Sequence, residues 1–506
     1  MKSKLGCEDV ITIFERLKKE AVKYADAGEY ESAVNYIRLA AQWAYTLNFK
    51  YCDKDLEDLI KKISAATLPQ AILSGNANRF VFIDTLGIDN RGLTQQYLRA
   101  IMALNVELLY ISVEGKQEQY HDILYELEKY GKASVIKGEE IEAPCSVDKS
   151  VKLLEEIKKF NPSRIFIHLM PWDVISLLII NAIKGALKYN INLTDHAFWL
   201  GASFIDYNFE FRSFGRTISL EKRGLKDNQL LYLPYYPIFP KVEIPFQGFP
   251  EQSADCIKIF TGGSFYKMFG KGGKFFKIMD SLLSLSPKVI ILVAGSGDMK
   301  LFMESIHSLT NKDRVYYIGN RKDINEVFRH CDIYLDTYPL GGGLMEQFAC
   351  VNAKPLLIYS DFNVPVIEKS QTGEIPHVYS KIEDLLHYAK RLILDDDYRR
   401  DEGSRNIQFV YDEGAFNTRF ERILANAEET SPNWDKVNID YERWRNLYLE
   451  VENDYMHSGI ILLLSKIRCK LLRVLPQYTI NFLFSCMCIV IDKLKRMRNS
   501  VTQIAL

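Results

Sequence analysis

The sequence predicts an α/β protein made of two tandem doubly wound domains, each a parallel sheet covered by helices. Two observations carry this. Between residues 79 and 196, and again between 256 and 359, short apolar runs rich in β-branched and aromatic residues alternate with helical stretches. Such alternation calls for parallel strands joined by right-handed crossovers. A proline-rich passage, LYLPYYPIFPKVEIPFQGFP (231–250), separates the two series and reads as an interdomain linker.

The first series has strands RFVFIDT (79–85), VELLYISV (106–113), ASVIKG (133–138), RIFIHLMP (164–171) and YNINLTDH (189–196). Helices fall between them at 93–104, 118–130, 148–160 and 173–188. The second has strands CIKIFTGG (256–263), KVIILVAGSG (288–297), RVYYIG (314–319), DIYLDT (332–337) and KPLLIY (354–359). Its helices are expected at 273–284, 298–308, 322–330, 344–350 and 381–394. Two such sheets in tandem place a ligand cleft at their strand C-termini.

Residues 9–66 carry only helical periodicity, interrupted by a turn at Ala27-Gly28-Glu29. GEYESAVNYIRLAAQWA (28–44) resembles the second helix of a tetratricopeptide unit. One unit cannot bury its own face. Two readings follow: a helical hairpin packed on the next domain, or a repeat array that binds peptides. The expected boundaries are 1–66 (helical, tetratricopeptide-like), 67–240 (first domain), 251–430 (second domain) and 431–506 (helical tail).

At 506 residues the chain exceeds one ordinary core, and 47% hydrophobic with 25% charged residues is a globular composition. The formal net charge of −1 gives no general attraction to nucleic acid, so no nucleic-acid partner is expected. Nine scattered cysteines without a Cys-x-x-Cys pair fit a reducing cytosol better than a disulfide framework or zinc site. The charged, amphipathic N-terminus lacks a signal-peptide core, and no run approaches the roughly 20 apolar residues of a spanning helix. A cytoplasmic location is expected. The segment 460–498 stands apart, because apolar stretches there are flanked by Lys466, Arg468, Lys470, Arg473, Lys493, Lys495, Arg496 and Arg498, with Asp492 the acid among them. That composition suits a helix lying on an anionic membrane surface, at the inner face. The alternative is a pair of terminal helices folded back on the core.

Chemistry concentrates in the second series. FTGGSFYKMFGKGGKFFKIM (260–279) ends a strand in Gly262-Gly263 and opens a helix at Lys271-Gly272-Gly273. Glycines let backbone approach a phosphate, while Ser264, Lys267 and Lys271 supply donors and charge. A plain strand-to-helix turn with solvated lysines has the same pattern. DIYLDTYPLGGGLMEQFACVNAKPLL (332–357) is more specific. Gly341, Gly342 and Gly343 lie between a strand and a helix whose N-terminus can hold a diphosphate, and Glu346 is placed to accept hydrogen bonds from ribose.

In the first series, LTDHAFWLGASFIDYNF (193–209) sets Asp195 and His196 at an expected strand end. His196 can act as general base toward a hydroxyl, with Asp195 as its partner. His168 in IFIHLMPW is a competitor at the neighbouring strand end, and Gly92 marks the first strand-to-helix turn. A histidine in an apolar setting is also commonly structural. No Asp-x-Asp ends an apolar strand, and Asp395-Asp396-Asp397 follows a helical run. No metal site and no cofactor are expected.

The succession of strand–GG–polar loop–KG–helix, then AGSGD (294–298), YYIGN (316–320) and DTYPLGGGLMEQFA (336–349), resembles the donor half of GT-B glycosyltransferases. Lys271-Gly272 with Phe275, Phe276 and Met279 resembles the family-4-like group. The Asp-Thr-x-Pro and glycine turn resemble the O-GlcNAc transferase-like group. The likeness spans about 255–430, and more loosely 79–240. It implies two Rossmann-like domains and metal-independent transfer of a sugar from a nucleotide-sugar co-substrate, a UDP-sugar before a GDP-sugar. Ser264, Lys267, Lys271, Gly263 and Gly341 to Gly343 would meet the diphosphate, Asn320 and Arg321 the base, Glu346 the ribose. The family-4-like group has a carboxylate eight residues before the position of Glu346, where this chain has Tyr338, so retention or inversion stays open. The implied acceptor is a saccharide or lipid-linked saccharide in surface-polysaccharide synthesis. The alternatives are a protein acceptor, a nucleotide-sugar epimerase or a non-catalytic helical adaptor.

Overall fold

Apolar residues at helical spacing fold the N-terminus into three helices, Cys7–Asp26, Tyr30–Leu47 and Lys54–Thr67. Gly28, at φ 76°, turns the chain between the first two, and the Asp53 carboxylate caps the third through the Leu56 N–H at 2.9 Å. In this computed structural model the described residues are 5–89, 92–114, 120–240, 244–362, 377–425, 437–467 and 491. Among them, one unit holds the residues of Met1–Ile238 and Glu413–Asn438 with the helix Ser458–Ile467. The other holds those of Phe239–Asp412 and Ile439–His457.

The helices are an integral part of the first unit. Buried Glu57 accepts three successive backbone N–H groups, from Gly201 (2.7 Å), Ala202 (2.9 Å) and Ser203 (2.9 Å). Asn48 donates to the His196 carbonyl at 2.9 Å, and the Trp199 N–H donates to the Tyr51 carbonyl at 3.3 Å. The helices therefore pack on the rest of the first unit.

The first unit's strands are β1 (Ala71–Ile72), β2 (Asn76–Asp84), β3 (Glu107–Ser112), β4 (Ala133–Lys137), β5 (Pro162–His168), β6 (Ile183–Lys184), β7 (Leu187–Ile191), β8 (Tyr207–Glu210) and β9 (Leu230–Tyr232). β1 and β6 form a small parallel pair, and the rest form a seven-stranded parallel sheet in the order β4-β3-β2-β5-β7-β8-β9. Several features differ from the sequence reading: β1, β6, β8 and β9 lie outside the expected strands, and the helix expected at 173–188 ends at Ala182. β7 stops at Ile191, so Asp195 and His196 lie in the following turn. β8 was hidden because its polar residues are paired across the sheet: Asn190 donates to Asn208 at 2.7 Å, and Asn192 donates to Glu210 at 3.0 Å. Satisfied amides can occupy a buried strand, but they erase its apolar pattern.

The second unit's strands are β10 (Ile257–Ser264), β11 (Val289–Ser296), β12 (Val315–Tyr317), β13 (Ile333–Leu335), β14 (Leu356–Tyr359) and β15 (Val378–Tyr379). They pair in parallel in the order β12-β11-β10-β13-β14-β15. Helices Lys274–Ser284, Met299–His307, Ile324–His330, Gly343–Val351 and Ile382–Leu394 follow the predicted positions within a few residues.

The passage read as a linker is partly built into the second unit. Phe246 stacks on His330 at 4.0 Å, and Phe239 meets the Phe348 ring edge at 5.7 Å. The helix Glu413–Ala425, expected in the second domain, belongs to the first unit instead. Its Phe416 packs 5.3 Å from Tyr97 and its Phe420 5.6 Å from Phe166. Of the tail, Ser458–Ile467 is a helix against Tyr30–Leu47 that buries Ile460 and Leu463. Most of the basic-apolar segment 460–498 lies outside the described residues. Among the described residues no helix is long and apolar enough to cross a membrane.

Replacing Glu57 by alanine strands the buried N–H groups of Gly201 and Ala202 and frees the partly buried one of Ser203, so the E57A variant should lose about 2 kcal/mol of stability or more. A lowered melting temperature of the full chain is the expected result.

Candidate functional site

The order of the second sheet reverses between β10 and β13, and the crevice at such a reversal is where parallel α/β sheets receive ligands. Both glycine segments end there. β10 runs through Gly262, Gly263 and Ser264, in register with Ala294, Gly295 and Ser296 of β11. A side chain at Gly295 would place its Cβ 1.9 Å from the Gly263 carbonyl, so this close approach requires glycine. Beyond β10, Phe265 and Met268 are fully buried, with Phe265 stacked on Phe302 at 4.2 Å. Those anchors leave Ser264 exposed and Lys267 half-buried at the sheet edge.

Lys267 joins the two loops. Its carbonyl accepts from the Leu340 N–H at 3.3 Å, and its ammonium donates to the Gly341 carbonyl at 3.2 Å. The glycine turn is also held from within. Asp336, just past β13, accepts from the Gly342 N–H at 2.9 Å and from the Tyr334 hydroxyl at 3.2 Å. Gly343 opens the helix, in which the Met345 and Glu346 N–H groups return to the Gly342 carbonyl. The helix itself has no use for the N–H groups of Gly343 and Leu344, which sit at its positive end.

Other expected contacts take different partners. Glu346, expected to bind ribose, is 0% exposed and lies beside Asp336. Burial pushes Asp336 above the usual carboxylate range, while hydrogen bonds with Glu346 and Gly342 and the Lys267 charge counter that rise. The Gly342 N–H, expected to meet phosphate, is taken by Asp336. Arg321, expected at the base, forms a bidentate pair with Asp323 (2.7 and 2.6 Å) and donates to the Gly248 carbonyl at 2.8 Å. It braces the 244–250 segment. Asn320 is exposed beside it. The Lys271 N–H donates to Glu450 at 2.6 Å, and its ammonium lies 5.3 Å from the Phe362 ring centre.

Sequence reasoning missed Asp361 and Arg443. Tyr338, at the place where a carboxylate was sought, donates to Asp361 at 3.0 Å. Lys274 (3.5 Å) and Arg443 (3.0 Å) face the same carboxylate. No periodicity links these four positions, which only tertiary folding brings together.

In the first unit, Arg212 grips Asp195 through two nitrogens at 2.5 and 2.9 Å. Burial alone would raise Asp195, but the Arg212 guanidinium prevails and holds the carboxyl well below the usual range. Arg223 donates to the carbonyls of Asp195 and Ala197, which fixes the turn. The His196 Nδ1 lies 3.4 Å from Asp195, and its side chain is 39% exposed against 1% for Asp195. With the Nδ1 proton directed at the carboxylate, Nε2 keeps a lone pair for an incoming proton. His168 ends β5, fully buried, and Gly92 turns beside it at φ 68°.

No family model and no curated protein matches the sequence. Solved structures match its fold. HepE from Anabaena, in complex with UDP and glucose, aligns with a TM-score of 0.50 at 13% identity, over 69% of this chain and 99% of its own. A mutant O-GlcNAc transferase from Thermobaculum terrenum aligns with a TM-score of 0.50 at 11% identity, over 87% of this chain and 82% of its own. At such identities the likeness is one of fold. The chain has the GT-B fold, with two Rossmann-like α/β domains.

Asp195 is bound more tightly to Arg212 as a carboxylate than it is when unfolded, so its contribution is present above pH 4 and fades as pH falls below that. D195N leaves Arg212 buried without its counter-charge and should cost about 3 kcal/mol or more. Denaturation measured against pH should show a shallower acid limb for the variant.

Proposed function

We propose that this protein is a glycosyltransferase that moves a sugar from a nucleotide-sugar, a UDP-sugar first, to a hydroxyl acceptor without a metal ion. The observation that carries the proposal is the reversal point of the second sheet, where Lys267 ties a glycine-ended strand to a glycine turn at a helix N-terminus. That construction suits the charge that grows on a departing diphosphate. The UDP held by HepE on the same fold supports this choice of donor class.

In the proposed reaction the acceptor oxygen bonds to the anomeric carbon as the bond from that carbon to the diphosphate oxygen breaks. The electron pair leaves on the nucleoside diphosphate, where Lys267, Ser264 and the N–H groups of Gly343 and Leu344 stabilise it. The acceptor proton passes to Nε2 of His196, whose Nδ1 faces Asp195. A saccharide or lipid-linked saccharide is the proposed acceptor, reached at the inner membrane face through 460–498. A protein acceptor is the second reading, favoured by the alignment with the O-GlcNAc transferase over 87% of this chain.

Thermal-shift and hydrolysis measurements across UDP, GDP and their sugars test the proposal. UDP or a UDP-sugar should raise the melting temperature, and K267A should weaken that binding by about tenfold, roughly 1.4 kcal/mol. H196A should lower transfer with donor binding intact. If no nucleotide or nucleotide-sugar stabilises the wild type, the proposal is wrong.

A further inference from the structure

A second polar constellation sits at the reversal of the first sheet, where β2 and β5 lie side by side. It is built on the last residue of each strand. Asp84 accepts from four donors: the Leu86 N–H (2.9 Å), the Thr94 hydroxyl (2.9 Å), the Tyr110 hydroxyl (3.0 Å) and Nδ1 of His168 (3.2 Å). The Thr94 oxygen also lies 3.0 Å from His168 Nδ1, and since its proton goes to Asp84 it too accepts from the imidazole. Both contacts put the proton on Nδ1 and leave Nε2 as a bare acceptor.

That nitrogen is the unusual feature. His168 is 0% exposed, and among the described residues its Nε2 has no hydrogen-bond partner. A buried imidazole acceptor left unmatched is destabilising, and a histidine kept only to tie Asp84 could be replaced by a residue without a second nitrogen. The ring has Gly92 on one side, whose missing side chain would stand 3.6 Å from His168 Cε1, and Leu193 beside Gly92. A glycine therefore stands beside a fixed imidazole at the reversal of the sheet, where parallel α/β sheets receive ligands. A glycine beside one fixed, unmatched polar group suits a site that reads a single hydroxyl.

We infer that Nε2 of His168 accepts a hydrogen bond from a sugar hydroxyl, with Asp84, Thr94 and Tyr110 fixing the ring for that role. This inference rests on the proposed glycosyl transfer and adds a binding residue distinct from His196. The hydroxyl can belong to the transferred sugar or to a saccharide acceptor.

The test compares full-length wild type with H168N, whose amide can still donate to Asp84 but lacks Nε2, and H168Q, whose amide reaches the Nε2 position. H168N should melt close to wild type and bind UDP equally well, yet turn over UDP-sugar at least about tenfold more slowly, with H168Q recovering part of the loss. Weaker UDP-sugar binding at unchanged UDP binding assigns the hydroxyl to the donor. Unchanged donor binding with slower transfer assigns it to the acceptor. H168N with wild-type binding and turnover overturns the inference. Should H168N fail to fold, spectra of 15N-histidine-labelled wild type decide. The His168 Nε2 resonance must move when UDP-sugar or free mono- and disaccharides are added, and an unmoved resonance overturns the inference. A wild type that binds no nucleotide or nucleotide-sugar instead removes the proposed function. The response of Nε2 to free saccharides then decides the role of His168 separately.

Discussion

Each large sheet reverses its strand order once, between β2 and β5 in the first unit and between β10 and β13 in the second. Right-handed crossovers force the loops on either side of a reversal to leave in opposite directions, which opens a crevice above the strand ends. Nothing in the core can fill that opening, so the residues there must satisfy one another or meet a ligand. In the second unit the opening is framed by Gly263, Lys267 and the Gly341–Gly343 turn, and in the first by Asp84, His168 and Gly92.

The polar groups at these edges are held by networks rather than isolated pairs. Asp195 is fixed by Arg212, while Arg223 secures the carbonyls around it. Asp336 gathers Gly342, Tyr334 and Glu346. Low local dielectric makes such satisfied clusters rigid. The rigidity orients two small sets of groups outward from them: the start of the helix Gly343–Val351 and the His196 ring. The N-terminal helices serve the same end, since Glu57 and Asn48 hold the segment 196–203.

Much of this was legible in the sequence because buried parallel strands leave continuous apolar runs. VELLYISV and KVIILVAGSG announce β3 and β11 with little ambiguity. The glycine runs likewise marked the right strand ends. β8 escaped because Asn208 and Glu210 are buried with partners that the linear pattern does not reveal. The placements of Glu346 and Arg321 escaped for a related reason. Asp336 and Asp323 compete for the donors and acceptors that a ligand would otherwise take, and a motif read position by position does not register competition. The pairing of His168 with Asp84, eighty-four residues apart, is set by the neighbouring ends of β2 and β5.

In the proposed function the reversal point of the second sheet receives a nucleoside diphosphate. Hydrogen–deuterium exchange of the full chain with and without UDP tests it most directly. UDP should slow exchange in the backbone of residues 262–268 and 341–347. Slowing confined to other segments, or none at saturating UDP, would contradict it.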